Sequence, residues 1–270
     1  MNEQTHYFRP VVVIPVFNHP NTVKDIVDAI VKLKLPVILV DDGSNTETHE
    51  ACETCSCELV TVIHRKTNGG KGAALMTGIQ AAAIADFSHF ITIDPDGQMD
   101  PEAIPAMLKL ARRNPDKVIC GYNTNTAAYS TARRALRRLS NGIANLNALT
   151  LSIEDAHCGF RLYPVAPVCQ LLARIKPGRH MQFDAEILIR LLWLGVRVLN
   201  VPISLRTPHD NISHYSHFTD NACITWMHLH LFLTLLTRLP LVAFARWTGW
   251  HAAPQLQLHS QAARNISSKP

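Results

Sequence analysis

Short runs of β-branched residues alternate with longer amphipathic stretches along the first half of the chain, and that alternation leaves few folds open. Residues 11–15 (Val-Val-Val-Ile-Pro) and 37–40 (Val-Ile-Leu-Val) are continuous apolar runs, the pattern of strands buried on both faces. Between them Val23, Ile26, Val27, Ile30, Val31 and Leu33 recur at helical spacing, so a helix covers the sheet and completes a β-α-β unit. The alternation continues with a helix over 46–55, a strand over 59–63, a helix over 71–85, a strand over 90–93, a helix over 100–113 and a strand over 118–120. It predicts an α/β fold with a mainly parallel, doubly wound, Rossmann-like sheet and flanking helices. In such sheets the ligand crevice lies outside the carboxyl ends of the strands, where Asn18, Asp41-Asp42 and Asp94/Asp96 fall.

Beyond residue 130 the pattern changes. A helix over 132–149 begins with Arg133, Arg134, Arg137 and Arg138, and Asp155-Ala156-His157-Cys158-Gly159-Phe160-Arg161 follows. A helix over 183–194 and a strand over 196–201 close the compact part; a polar, histidine-rich segment leads into an apolar helical stretch broken near Pro240. The expected division is a catalytic-type domain over 1–220, an apolar, interfacial helical segment over 221–252 and a polar tail over 253–270. The stretch after residue 221 carries His228, His230 and Arg238, so the reading is a helix pair lying on a membrane surface or packing on the core, not a spanning helix. A hydrophobic fraction of 47% excludes a disordered chain. The net charge of +5 suits an anionic ligand or membrane surface and implies no nucleic-acid partner. Seven cysteines without an amino-terminal apolar signal fit a reduced, cytoplasmic protein, and Cys52, Cys55 and Cys57 lack the second ligand pair of a zinc finger.

Asp94-Pro95-Asp96-Gly97-Gln98 places two carboxylates and an amide at alternate positions on a strand-end turn, an oxygen set suited to Mg2+ or Mn2+. Alone it reads equally as a solvated, capping turn. Its company is more specific. Ile14-Pro15-Val16-Phe17-Asn18, Val40-Asp41-Asp42-Gly43-Ser44, Asn68-Gly69-Gly70-Lys71-Gly72-Ala73-Ala74 and Asp94-Pro95-Asp96-Gly97-Gln98 follow one another over about 85 residues. In that order they resemble the signature of family 2 glycosyltransferases of the GT-A fold, including dolichyl-phosphate mannosyltransferase-like and bacterial glycolipid-assembly members. A looser resemblance extends through Phe183-Asp184-Ala185-Glu186 and Ser213-His214-Tyr215.

The resemblance implies a nucleotide-diphosphate-sugar donor, UDP- or GDP-linked, and an inverting, metal-assisted transfer to a lipid-linked, glycolipid or polysaccharide acceptor at the inner face of the cell membrane. It gives Pro15, Phe17, Asn18, Asp41, Asp42, Lys71, Asp94, Arg161 and His214 to the donor, and Asp94, Asp96 and Gln98 to the metal. A hydroxyl acceptor needs a general base, for which Asp155, Asp184 and Glu186 are candidates; a lipid phosphate, already an anion, needs none. Asp155 reads equally as a partner of Arg161, and Glu186 as a partner of Arg190. Lipid-phosphate-using members carry basic residues in the segment after the last strand, where this chain offers Arg206, His209 and His214. Two other readings use the same features: a sugar-nucleotide pyrophosphorylase-like nucleotidyltransferase, and a catalytically inactive donor-binding scaffold.

Overall fold

The computed structural model describes residues 7–125, 130–206 and 219–248. Seven strands form one sheet in the order β3-β2-β1-β4-β6-β5-β7. The amino-terminal half is the expected β-α repeat: β1 (Pro10–Val16), α1 (Val23–Lys32), β2 (Val37–Asp41), α2 (Thr46–Thr54), β3 (Val60–His64), α3 (Lys71–Ile84) and β4 (His89–Thr92). All pairings among these four strands are parallel. A short 3-10 turn at Pro101–Ala103 leads into α4 (Ile104–Arg113), then β5 (Val118–Asn123) and α5 (Thr131–Asn147).

Two elements escape the sequence reading. β6 (Arg161–Pro164) lies antiparallel between β4 and β5, and α6 (Val165–Leu172) follows it. β6 is four residues long and runs directly into its helix, so neither periodicity has room to develop. Its reversed direction matters for function. Thr92 at the carboxyl end of β4 pairs with Arg161 at the start of β6, so residues 155–160 enter across the edge where the crevice opens. α7 (Phe183–Trp193) and β7 (Val198–Ile203) follow, and β7 pairs in parallel with β5.

The sheet is buried on both faces. Val11, Val13, Ile38 and Val40 pack against α3 and α7, whereas Val12, Ile14, Val37 and Leu39 pack against α1 and α4. Helix α3 comes close because Gly78 faces Val13: a Cβ at Gly78 would stand 2.4 Å from Val13 Cγ1.

The carboxyl-terminal segment forms one continuous helix, α8 (Thr219–Thr248), with Pro240 inside it, rather than the broken pair expected. It is long and apolar enough over Thr219–Leu241 to cross a membrane, yet one face is docked on the protein. Met227, Leu231 and Leu235 join the core, and the Asn147 amide donates to the His228 carbonyl at 3.0 Å. The same amide lies 3.1 Å from His228 Nδ1, so that nitrogen accepts. Burial pulls the His228 imidazole down to about 4, and the like charge of His157 adds to the shift.

Two outcomes follow from this packing. Gly78→Ala lowers stability by about 1–3 kcal/mol through overpacking against Val13, whereas Gly142→Ala, at a helix position with open space around it, raises it by about 0.5–1 kcal/mol; denaturant midpoints measure both. For His228 the folded-state pKa lies below the unfolded 6.5, so stability is intact above pH 6.5 and is lost as pH falls towards 4. His228→Gln flattens that slope in a series of melts across pH.

Candidate active site

The carboxyl ends of β1, β2 and β4 open into a cleft of about 370 Å³ lined by Pro15, Phe17, Asp42, Lys71, Asp94, Asp96 and Gln98. Seven of the residues expected from sequence therefore share one cavity. Asn68 of the glycine-rich motif lines it too, and His19, His180, Met181 and the first turn of α8 (Thr219, Asp220), which were not foreseen, complete its wall. His180 arrives by tertiary contact alone: a Cβ at Gly70 would stand 2.3 Å from its Nδ1, so only glycine lets the loop before α7 close on the glycine-rich turn.

Lys71 is the first residue of α3, and its ammonium lies 2.6 Å from Asp94 Oδ1 and 2.9 Å from Asp184 Oδ2. Burial alone would pull this lysine down, but the carboxylates of Asp184 and Asp94 outweigh it and hold the ammonium above its ordinary range. Burial pushes the Asp94 carboxyl up, opposed by Lys71 and reinforced by the like charges of Asp184 and Asp96. Gly159 is pressed against this group, since a Cβ there would stand 2.6 Å from Lys71 Nζ and 3.1 Å from Asp94 Oδ2. The Gly159 carbonyl is fixed by Thr92 Oγ1, which donates at 2.5 Å.

Asp42 accepts from the backbone N–H groups of Gly69 (3.1 Å) and Gly70 (2.8 Å) and from the Arg65 guanidinium. It thereby satisfies donors at the amino end of α3, a favourable place for a negative charge. Burial raises its carboxyl, against the pull of Gly69, Arg65 and Gly70. Asp96 Oδ1 accepts from Gln98 N at 3.0 Å, which with Gly97 at φ +72° fixes the turn. Gln98 O accepts from Arg206 N at 2.8 Å, tying the turn to the chain beyond β7.

The oxygen set of Asp94, Asp96 and Gln98 suits a hard divalent cation. Its two carboxylates repel one another, so a shared cation relieves the repulsion.

The other expected site residues lie elsewhere. Asn18 (φ 52°) holds a turn, its Oδ1 accepting from Asn45 N at 2.9 Å. Asp41 faces away from the cleft toward His49 and His64; burial pushes its carboxyl up, but the hydrogen bonds of Ser44, His64 and His49 prevail and hold it low. Arg161 is fully buried and donates to the carbonyls of Asp184, Asp155 and Ala156 and to the Tyr163 hydroxyl, so it ties together the segments that carry the acids. Glu186 accepts from Gly178 N and Arg190 Nε, each at 2.8 Å. Asp155 is paired with Arg137 and accepts from His157 N (3.1 Å) and Cys158 N (3.2 Å). His214 lies outside the described residues.

Asp155 borders a second cavity of about 390 Å³, lined by Arg134, Arg137 and Arg138 of α5 with Asn123, Asn141 and Glu154. Asp155, in the wall of this arginine-rich cavity, and Gly159, against Lys71, are joined by a stretch of chain that spans at most about 14 Å.

The Lys71 triangle makes a stability prediction independent of substrate. Lys71→Met leaves two buried carboxylates facing each other and costs about 3–5 kcal/mol; adding Asp184→Asn restores part of it, so the double-mutant cycle shows strong coupling by denaturant unfolding.

The profile described as Glycosyl transferase family 2 matches residues 11–171, which include β1 to β6 and the whole metal-type turn. The chain is 25% identical over 211 residues to the undecaprenyl-phosphate mannosyltransferase of Micrococcus luteus, covering 73% of this chain and 83% of that protein. It is 23% identical over 216 residues to the polyprenol monophosphomannose synthase of Mycolicibacterium smegmatis, covering 77% and 81%. Its fold is similar to that of a mannosyltransferase from Pyrobaculum calidifontis solved in complex with GDP-Man and Mn2+, with TM-score 0.55, 16% identity and coverage of 97% of this chain and 81% of that one. With the profile spanning more than half of its length, this chain belongs to glycosyl transferase family 2, has a GT-A-like fold and is a glycosyltransferase.

Proposed function

We propose that this enzyme transfers a sugar from a nucleotide diphosphate to a lipid-linked phosphate, with inversion, at a membrane surface. The observation that carries the choice of acceptor is the arginine-rich cavity beside the donor cleft. Arginine suits phosphate because its fork donates two parallel charge-assisted hydrogen bonds. Helix α5 adds these arginines to the few cationic groups that follow β7 in the sequence. The candidate bases agree with this reading, since Asp155 is engaged by Arg137, Glu186 by Arg190 and Asp184 by Lys71. A phosphate oxygen is already deprotonated, so it attacks the anomeric carbon while the bond to the departing diphosphate breaks, and no proton has to be removed.

On the donor side, Pro15 and Phe17 wall the base and ribose, and Lys71 is the cation nearest to where a diphosphate lies along the glycine-rich turn. Asp94, Asp96 and Gln98 are the residues to hold Mg2+ or Mn2+, which when bound neutralises charge gathering on the leaving diphosphate. Both the Micrococcus and the Mycolicibacterium relatives carry names that specify a polyprenol-type lipid, and the Pyrobaculum enzyme was solved with GDP-Man and Mn2+, which supports this pairing of donor and acceptor.

Membrane contact comes from outward apolar side chains. Leu136, Leu139, Ile143 and Leu146 are exposed along α5, and Trp226, Leu229, Leu233 and Leu236 along α8. Together with the arginines of α5 they suit a peripheral seat on an anionic, cytoplasm-facing leaflet.

Incubation with labelled GDP- and UDP-sugars and a polyprenyl phosphate moves label into the lipid fraction. Arg134→Ala and Arg138→Ala each raise KM for the lipid phosphate about tenfold or more, the worth of a lost charge-assisted hydrogen bond, while the KM for the donor stays put. Transfer to a neutral glycolipid but not to the phosphate contradicts the proposal.

A further inference from the structure

The two aspartates that end β2 point to opposite faces of the sheet, as neighbouring strand residues must. Asp42 serves the cleft. Asp41, 1% exposed, faces α2 and the end of β3 and is not among the residues that line the cleft. What surrounds it is a different constellation. His64 is its partner across the β2–β3 ladder, and its Nδ1 lies 2.8 Å from Asp41 Oδ2. His49, from α2, brings its own Nδ1 to 3.3 Å from the same oxygen. The two imidazole rings lie 3.9 Å apart between centroids, and one ligand atom from each of the three side chains falls within 4.8 Å of the others.

A second contact gives this cluster its meaning. His64 Nε2 lies 2.5 Å from Glu53 Oε1, so that nitrogen carries a proton and donates it. Asp41 Oδ2 accepts from both Nδ1 atoms, and a divalent cation that displaces those protons meets one lone pair from each of the three side chains. A cation is what such a convergence asks for. A carboxylate accepting from the far nitrogen of a histidine is also the arrangement that orients metal-ligating imidazoles and raises their basicity. Bonds of about 2.0–2.2 Å to one metal place tetrahedral ligand atoms about 3.4 Å apart, close to the 3.3 Å separation and a small widening of the 2.8 Å one.

We propose that Asp41, His49 and His64 form a binding site for a zinc-type divalent cation, separate from the donor site, with Glu53 orienting His64 from behind. The mixed imidazole and carboxylate set favours zinc over magnesium. The site is structural in effect: it staples the ends of β2 and β3 to α2, directly behind the Asp42–Arg65 pair that supports the glycine-rich turn.

The test is a calorimetric titration of the full chain with Zn2+, paired with thermal unfolding and with Co2+ as a spectroscopic stand-in. The expected result is one Zn2+ bound per chain with a raised unfolding temperature, binding at least tenfold weaker in His49→Ala, and unchanged binding in Asp96→Ala. His49 is half exposed, so its truncation leaves the fold intact. Co2+ gives tetrahedral bands without a thiolate-to-cobalt charge-transfer band. The proposal is overturned if Zn2+ does not bind, if His49→Ala binds as well as the wild type, if Asp96→Ala abolishes binding, or if the thiolate band shows the metal on Cys52, Cys55 and Cys57.

Discussion

Lys71 holds together three parts of the chain that have no other reason to meet at one point. Its ammonium, inside the protein, bridges Asp94 at the end of β4 and Asp184 in the first turn of α7, and it leaves no space for a side chain at position 159. A lysine so placed is stable as a cation only because both carboxylates are there, and each carboxylate is tolerable only because of the lysine. The cleft inherits its shape from this dependence. Gly70 and Gly72 allow the loop before α7 to close over the amino end of α3, Asp42 satisfies the N–H groups that the closure leaves, and Arg161 ties the backbone of Asp155 to that of Asp184 from beneath. The reacting edge is thus prestressed by charge rather than built from independent loops.

The same network separates acids held by arginines from acids open to the cleft. Asp155 and Glu186 have the right residue type for a base, but each spends its oxygens on an arginine and on backbone N–H groups. Asp96 and Gln98 are bound only within their own turn and its link to Arg206, so their remaining oxygens face the cleft. The engagement of Asp155, Asp184 and Glu186, beside a cavity of arginines, matches an acceptor that is already an anion.

The amino-terminal half was legible in the sequence because there each element keeps a single period: the runs at 11–15 and 37–40 and the stripe from Val23 to Ile30 lie within a residue or two of the observed strands and helix. Motif residues at the strand ends were legible for the same reason, since topology alone sends Asp42, Lys71, Asp94 and Asp96 to one edge. What the sequence hid is tertiary. β6 is too short to show a pattern and reverses direction, and it brings Gly159 to Lys71. His180 reaches the cleft by packing against Gly70, more than a hundred residues earlier, and Met181 beside it also lines the wall. The arginines of α5 were visible as a charged run, but only the fold shows that they line a cavity bordered by Asp155. Asp41 illustrates the converse, a motif residue whose neighbour takes the cleft while it turns to the histidines behind.

The proposed donor site depends on Lys71 keeping its two carboxylates in place beside the Asp94–Gln98 turn. Calorimetric titration of GDP and UDP, each with and without Mn2+, on the wild type and on Asp96→Ala tests that most directly. The account predicts that one nucleotide binds tightly only with Mn2+, and that Asp96→Ala loses this dependence while unfolding at the wild-type midpoint. Metal-independent binding that survives Asp96→Ala, or no binding of either nucleotide to the folded chain, contradicts it.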